Sequence, residues 1–343
     1  MPRSTENCLL PPKWYEADHL TMKMIKRINA MLLFVLYVLV NVGCLVTGGE
    51  IWSWSHESSN KDINSVLRDA FDYSNHKGQF GIGSDDSLSM AEDPENPGQY
   101  VLRVFYKKGT WSGHKSDGHS CHSGEKCHRG AQFYATPSEM AHHTYTTLTL
   151  QYEVYFDDSF SWHRGGKLPG LWGGTRDCSG GRISDTCFST RLMWRPLGDG
   201  EVYTYVTHNQ DPTWDKWCDK YDTSSTESYH HIHCTTSTGI ELGRGSFRFH
   251  HHKWHKIRQE VHLNSSPGHK GYIKLWVDDH AEVHVTDIIM RDNTNFDIDG
   301  IFFSTFYGGG DSSWACPRDT YTYFRNFRLS TDTKTPSQSQ LVG

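Results

Sequence analysis

The chain has 343 residues and a formal net charge of −6, and aromatic residues make up 13% of it. A mildly acidic chain that carries no nucleic-acid-binding motif argues against nucleic acid as its partner. The length suits one large β domain with additional terminal segments.

The first 48 residues have the pattern of a leader for export. Lys26 and Arg27 precede residues 30–46, which are almost wholly apolar, and small residues follow at positions 43–49. This pattern predicts an N-terminal extension with a signal peptide, cleavage near residues 44–50, and a secreted protein without stable membrane association. An uncleaved signal anchor is the alternative, because the apolar run is only slightly short for a membrane span.

The rest of the chain predicts an all-β protein. Residues 49–79 are interpreted as a linker with one short helix at 62–71, residues 80–330 as the domain, and residues 331–343 as a polar tail. Within the domain, apolar residues alternate with polar ones, most clearly at 148–156. Many short alternating strands bounded by Gly, Asn and Asp are typical of a β-sandwich or jelly roll.

Cysteine spacing and one sequon support export. The short spacings predict local disulfides, which are Cys121–Cys127, Cys178–Cys187 and Cys218–Cys234, and they leave Cys316 without a local partner. Sequence alone does not fix this connectivity. The Cys-His pairs at 121–122 and 127–128 could form a zinc site, but disulfides are favoured in an oxidising compartment. Asn264 begins an Asn-Ser-Ser sequon and is a candidate for glycosylation on a surface loop.

The dense histidines do not have the spacing of a known metal motif. His250, His251 and His252 are consecutive, and residues 230–233 hold three more histidines. Adjacent strand residues point to opposite faces, so such a run does not easily chelate one ion. We therefore expect no metal and no other cofactor.

The strongest functional pattern lies between residues 165 and 206. Lys167 stands in a glycine-rich loop, Ser189 and Arg191 lie two apart on one strand-like run, and Tyr203 and Tyr205 lie two apart on the next. Residues two apart on a strand share a face.

The turn between these runs decides whether the two pairs meet. A three-residue loop at 196–198 places both pairs on one face, with Arg191 opposite Tyr203. A two-residue turn at 199–200 would place them on opposite faces. The first register is favoured because proline suits the first position of that loop and glycine suits its left-handed last position.

Arginine and tyrosine on one face suit β-elimination of an acidic sugar. Arg191, with Lys167 and Ser189, would hold the uronate carboxylate and stabilise the charge that develops beside it. Tyr203 or Tyr205 would act on the proton and on the leaving oxygen, and Lys167 is the alternative base. The structural alternative is that alternating Tyr, Ser and Arg reflect strand propensity alone.

Several motifs follow one another between about residues 98 and 330: GGKLPGLWGG, FSTRLMWR, GEVYTYV, GRGSFRF, KWHKIRQEVHLN, IFFSTFYGGGDSSWA and DTYTYFRNF. Together they resemble polysaccharide lyase family 14, which contains alginate and glucuronan lyases of molluscs and chlorella viruses. The resemblance implies a jelly-roll β-sandwich of two antiparallel sheets with a cleft on its concave face. It also implies that the family's active-site residues correspond to Lys167, Ser189, Arg191, Tyr203 and Tyr205.

Two other functional classes remain open. A non-catalytic carbohydrate-binding jelly roll would use Trp162, Trp172 and Trp194 as stacking platforms, and Trp172 would also suit substrate binding in a lyase. A hydrolase would need a pair of carboxylates, of which the hairpin offers Glu201 alone. The lyase hypothesis implies an acidic polysaccharide as the partner of a monomer. The sequence does not distinguish the uronate polymers, endo from exo cleavage, or the base from the acid.

Overall fold

A computed structural model describes residues 49–55, 62–74, 79–112, 117, 119–122, 126–182, 185–210, 232–235 and 239–331. The leader of residues 1–48, the Cys218–Cys234 pairing and the tail from residue 332 lie outside the described residues and side chains. Among the described residues, no helix combines the length and the apolar character that crossing a bilayer requires.

Sixteen strands make up nearly half of the described chain. They are β1 Glu50–Trp54, β2 Tyr73–Ser74, β3 Leu88–Glu92, β4 Tyr100–Tyr106, β5 Ala131–Ala135, β6 Thr147–Phe156, β7 Gly166–Gly174, β8 Cys187–Trp194, β9 Gly200–Tyr205, β10 Ile232–Thr235, β11 Gly239–Leu242, β12 Trp254–His262, β13 Gly271–Val277, β14 His280–Ile288, β15 Gly300–Tyr307 and β16 Thr320–Ser330. The helical segments are short: α1 Ile63–Ser65, a π-helical turn Val66–Ala70, and 3₁₀ turns at Gly83–Asp85, Ser138–Met140, Pro196–Gly198 and Ser312–Trp314.

The strands form two antiparallel sheets that pack face to face. One sheet has the order β14-β13-β12-β6-β16-β4-β3, with β1 also paired to β16. The other has the order β10-β11-β9-β8-β7-β15-β5-β2. The alternating apolar residues of β6 all lie in the core between the sheets. The predicted jelly-roll sandwich of two antiparallel sheets is confirmed.

The residues that the structure describes between 49 and 74 contribute to the sandwich, so their interpretation as a linker is wrong. Trp52 and Trp54 on β1 and Phe71 after the helix are core residues, and Tyr73 on β2 pairs with β5. The predicted helix is present as α1 and the π-helical turn, and the Asp62 side chain caps its first turn. The domain therefore begins near residue 49 rather than at residue 80.

The β8–β9 hairpin has the register that the sequence favoured. Arg191 pairs with Tyr203 and Ser189 pairs with Tyr205, and the Arg195 N–H donates to the Asp199 carbonyl at 2.7 Å. Gly198 has φ 86° as expected, and the preceding Leu197 also has a positive φ of 65°. Arginine and both tyrosines therefore project from the same face of the second sheet.

Two other local predictions have different outcomes. Cys121–Cys127 and Cys178–Cys187 are disulfide-bonded as predicted, while Cys316 is a buried free thiol. The expected surface-loop position of Asn264 is wrong, because that side chain is fully buried. Its amide nitrogen donates to the Ser266 and Arg291 carbonyls and its amide oxygen accepts from two backbone N–H groups, so the folded chain does not present this side chain to solvent.

Candidate active site

The outward face of the second sheet carries a pocket of about 490 Å³. Four of the predicted residues line it, namely Lys167, Arg191, Tyr203 and Tyr205. Glycines form much of its rim, from residues 180–181 on one loop and 308–310 on another, and Trp314 also contributes. Because glycine has no side chain, such a rim allows a polymer backbone to approach the sheet closely.

Lys167 lines the pocket and is almost entirely buried, with 7% of its surface exposed. Its amino nitrogen lies 3.2 Å above the centroid of the Tyr203 ring and contacts the Met193 sulfur. Burial first, and then the nearby charges of Arg191 and Arg195, hold the pKa of Lys167 well below its usual value. A lysine in this environment loses its proton at a lower pH than a surface lysine does. The neutral amine that results is able to accept a proton.

Arg191 is the neighbouring cation and is 1% exposed. Its Nη1 donates to Ser304 Oγ at 3.0 Å, and Ser304 in turn donates to the Gln132 amide oxygen. No hydrogen bond of standard geometry to a described residue reaches its Nε or Nη2, although the Tyr205 phenol interacts with the guanidinium. Burial lowers the pKa of Arg191, but an arginine remains charged in proteins. The pocket is therefore lined by a buried cation that Ser304 holds in place.

The two tyrosines form the floor beside these cations. Their ring centroids are 5.4 Å apart, and both rings are nearly buried. The Tyr205 hydroxyl accepts a hydrogen bond from the Gly181 N–H at 3.0 Å. Since that bond occupies a lone pair on the phenol oxygen, the phenol proton remains available for donation.

Ser189 and Trp172 lie on the same face but not among the residues that line the pocket. Ser189 Oγ donates to the Cys178 carbonyl at 2.8 Å, so it fixes the disulfide loop of residues 178–187. Trp172 is 4% exposed and packs edge-on against Tyr134, with ring centroids 4.8 Å apart. Their contact with substrate stays a prediction, and through the Cys178 carbonyl Ser189 also holds the loop whose Gly180 and Gly181 line the pocket.

Sequence reasoning missed a cluster of four charges at one end of the pocket. Arg195 contacts the carboxylates of Glu201 and Glu241. Arg244 contacts the same two carboxylates from the other side, at 2.8 Å and 2.5 Å. Glu241 pairs with Tyr203 across β11 and β9, which places it on the active face. We call these four residues the charge quartet.

Metal ligands are not gathered at this site. In the described ranges, no group of three or more His, Cys, Asp or Glu side chains is arranged to hold an ion. His251 hydrogen-bonds to the Phe160 carbonyl and stacks on Trp162. His252 lies 2.9 Å from Asp158. The three histidines precede β12 in a turn, where His252 has a positive φ of 54°, so they do not form the strand that the sequence argument assumed.

Replacing Lys167 by methionine should stabilise the fold at neutral pH. The pKa of Lys167 is lower in the folded chain than in the unfolded chain, so at pH values below the folded-state pKa the charged lysine opposes folding. This loss of stability decreases as the pH rises and disappears near 10.5, the usual pKa of a lysine. Methionine keeps the unbranched stem and removes the charge. We expect the melting temperature at pH 7 to rise by about 2–6 °C, measured by calorimetry. An advantage over wild type that does not shrink above pH 10 would contradict the explanation.

Comparisons with known proteins place this geometry in a wider context. The sequence pattern of the family Polysaccharide lyase 14 matches residues 94–327. The crystal structure of a PL-14 alginate lyase from Aplysia kurodai is similar, with 35% identity over 82% of this chain and 98% of that one and a TM-score of 0.63.

More distant structures share the fold. Alginate lyase vAL-1 from Chlorella virus has 21% identity over 78% of this chain and 97% of that one, with a TM-score of 0.58. A variant of alginate lyase Aly36B in complex with an alginate trisaccharide has 18% identity over 81% of this chain and 96% of that one, with a TM-score of 0.55. None of the curated proteins compared with the chain matches it.

Proposed function

Because the chain belongs to polysaccharide lyase family 14, we propose that it cleaves a β-1,4-linked polyuronate, alginate or glucuronan, by β-elimination. The observation that carries the proposal is a buried lysine with a lowered pKa beside a buried arginine and a tyrosine, all lining one pocket. The alginate trisaccharide in the Aly36B complex supports an acidic polysaccharide as the substrate class.

Arg191 is proposed to neutralise the carboxylate of the uronate that loses its proton. The proton on the carbon next to a carboxylate is weakly acidic, because its removal places further negative charge on that group. A guanidinium already held by Ser304 stabilises this charge without reorganisation. The buried surroundings strengthen the interaction, since water does not screen it.

Lys167 is proposed as the base. Its amine takes the proton from the carbon beside the carboxylate and becomes an ammonium, and the electron pair forms the new carbon–carbon double bond. Tyr205 is proposed as the acid, because its oxygen already accepts from Gly181 and its own proton is available for the departing glycosidic oxygen. Solvent then returns the proton from Lys167 to Tyr205, and the product carries an unsaturated uronate end.

The rival functions fit the geometry less well. A hydrolase needs one carboxylic acid and one carboxylate beside the bond, whereas Glu201 and Glu241 are both engaged by two arginines. A carbohydrate-binding module needs exposed aromatic platforms. Trp194 is fully buried in the core and Trp162 packs against it, so neither forms a platform on the pocket.

A panel of uronans tests the proposed reaction. Purified protein is mixed with polymannuronate, polyguluronate and glucuronan, with and without a chelator, and the ultraviolet absorbance of the unsaturated product is followed. We expect product on at least one polymer and no loss with the chelator. Binding without unsaturated product would favour the carbohydrate-binding alternative.

Export of a monomer is proposed for the cellular setting. The two disulfides fit an oxidising compartment, and the leader pattern fits secretion with cleavage near residues 44–50. N-terminal sequencing of the protein from culture medium tests this proposal. Recovery of residues 1–40 on the secreted product would contradict it.

Arg191→Lys should lower kcat by about 10²–10³. The lysine keeps a positive charge but loses the planar fork that grips a carboxylate through two hydrogen bonds, and it also loses the contact with Ser304. Initial rates at saturating substrate measure the effect. Arg248→Lys serves as the control, because that arginine pairs with Asp199 outside the pocket. Equal activity of the two variants would remove Arg191 from the mechanism.

A further inference from the structure

The charge quartet forms a closed arrangement in which each arginine contacts both carboxylates. Arg195 lies in the pocket wall, while Arg244 follows β11 and does not line the pocket. Glu201 is fully buried, and the side chain of Arg244 is 32% exposed. Two positive and two negative charges cancel, so the cluster is neutral as a unit.

Buried ion pairs are weak evidence for stability, because removing charges from water costs about as much as the attraction returns. A hydrophobic cluster of the same volume would serve the sandwich equally well. The position of the quartet suggests another role, since Arg195, Glu201 and Glu241 all act on Lys167 through space.

The charged and titratable groups around Lys167 come from β8 and the turn after it, from β9 and from β11. Arg191 lies on β8 and Arg195 follows that strand, and both lower the pKa of Lys167. Glu201 on β9 and Glu241 on β11 raise it. Tyr203 lies beneath the amino group, and the β15 residue opposite Lys167 is the uncharged Phe306. Burial makes the largest contribution to the lowered pKa of Lys167, and the balance of these two cations against two carboxylates adjusts it further.

We infer that Arg244 is a positioning residue of this lyase: by neutralising Glu201 and Glu241 from outside the pocket, it keeps Lys167 in the amine form that accepts the substrate proton. This inference rests on the proposed role of Lys167 as the base. Without Arg244, two buried carboxylates would share Arg195 alone, and one negative charge would remain uncompensated close to Lys167. Such a charge favours the ammonium.

The test is the pH profile of kcat. The activity of an enzyme that uses a base falls as the pH drops through the pKa of that base, and we call this part of the profile the acid limb. A raised pKa of Lys167 therefore moves the acid limb to higher pH. Arg244→Gln should move that limb upward by about one pH unit, a roughly tenfold loss on the acid side that alkaline pH restores, with KM little changed. Arg244→Lys retains the charge and should keep the wild-type limb.

Two further variants make the result decisive. Glu241→Gln removes a negative charge and should move the limb in the opposite direction, to lower pH. Arg248→Gln removes an exposed cation paired with Asp199 and should leave the profile unchanged. An unchanged limb in Arg244→Gln, a loss that is equal at every pH, or the same shift in Arg248→Gln would overturn the inference. If Arg244→Gln does not fold, the direction of the shift in Glu241→Gln decides whether the charges of the quartet control the pKa of Lys167: a shift to lower pH supports the inference, and no shift or a shift to higher pH overturns it.

A measurement without substrate separates this inference from the proposed mechanism. The difference in unfolding free energy between wild type and Lys167→Met begins to change at the pH where Lys167 titrates in the folded chain. We expect that pH to rise in the Arg244→Gln background. A rise without movement of the activity limb would uphold the coupling and reject Lys167 as the base. No rise would reject the coupling itself.

Discussion

Lys167→Met is expected to lower kcat on polyuronate by about 10³–10⁴ while the protein remains folded. Methionine fills the same volume against Tyr203 and Met193 but has no nitrogen to accept the substrate proton. The loss should therefore appear in kcat and not in KM. Ultraviolet product formation and a binding assay on the same preparation measure both quantities.

The matched control for this variant is Lys274→Met. Lys274 lies on β13 in the other sheet, where it contacts Glu260 at 3.3 Å. The Lys274→Met substitution should therefore leave kcat unchanged. If the Lys167 variant kept more than about one tenth of wild-type kcat, another group would have to be the base. Because the variant is expected to gain stability, unfolding would not explain a loss.

Tyr205→Phe should lower kcat by about 10²–10⁴, since it removes the proposed acid and retains the ring. The Tyr205 oxygen accepts a hydrogen bond from the Gly181 N–H, so its own proton can be donated to the leaving oxygen. A substrate with a better leaving group needs less protonation. The defect should therefore shrink on an aryl uronide compared with the polymer.

Tyr203→Phe is the natural comparison because the two residues share a strand and a face. The ring of Tyr203 supports the Lys167 amino group, and phenylalanine preserves that contact. We expect a loss of less than about tenfold. If Tyr203→Phe were the more damaging change, the two tyrosines would exchange roles in the mechanism.

The parts of the site that sequence reasoning predicted are local. The register of β8 with β9 depends on a few turn residues, and those residues are chemically distinctive, so Arg191 and Tyr203 could be paired without a structure. Lys167 could be included because its motif resembles the family's. The core face of β6 followed from the alternation of apolar residues over the nine residues 148–156.

The parts that were missed depend on distant strands. Glu241 reaches the active face because β11 pairs with β9, and an intervening segment of more than thirty residues conceals that pairing from local patterns. Ser304 on β15 and Gln132 on β5 support Arg191 through hydrogen bonds. These contacts also join strands that are distant in the sequence, so no local pattern indicated them. For Ser189 the sequence predicted the face but not the hydrogen bond that its hydroxyl donates to the Cys178 carbonyl.

The burial of Asn264 and of the β1 side chains was also not evident from the sequence. The Asn264 sequon has the right letters, but the side chain folds inward to satisfy backbone groups near Arg291. β1 is a short strand of five residues, too brief for its pattern to distinguish a strand from a linker. In both cases the deciding contacts come from elsewhere in the chain.

The Cys178–Cys187 disulfide links the redox state of the chain to the proposed acid. Gly181, whose N–H donates to the Tyr205 hydroxyl, lies inside the loop that the disulfide closes, and Ser189 holds the same loop through the Cys178 carbonyl. If Tyr205 is the acid, reduction of this bond should loosen the loop and lower kcat, while the hydrogen bonds of the sheets hold Lys167 and Arg191 in place. A reduced protein that kept its full rate on polyuronate would contradict this dependence.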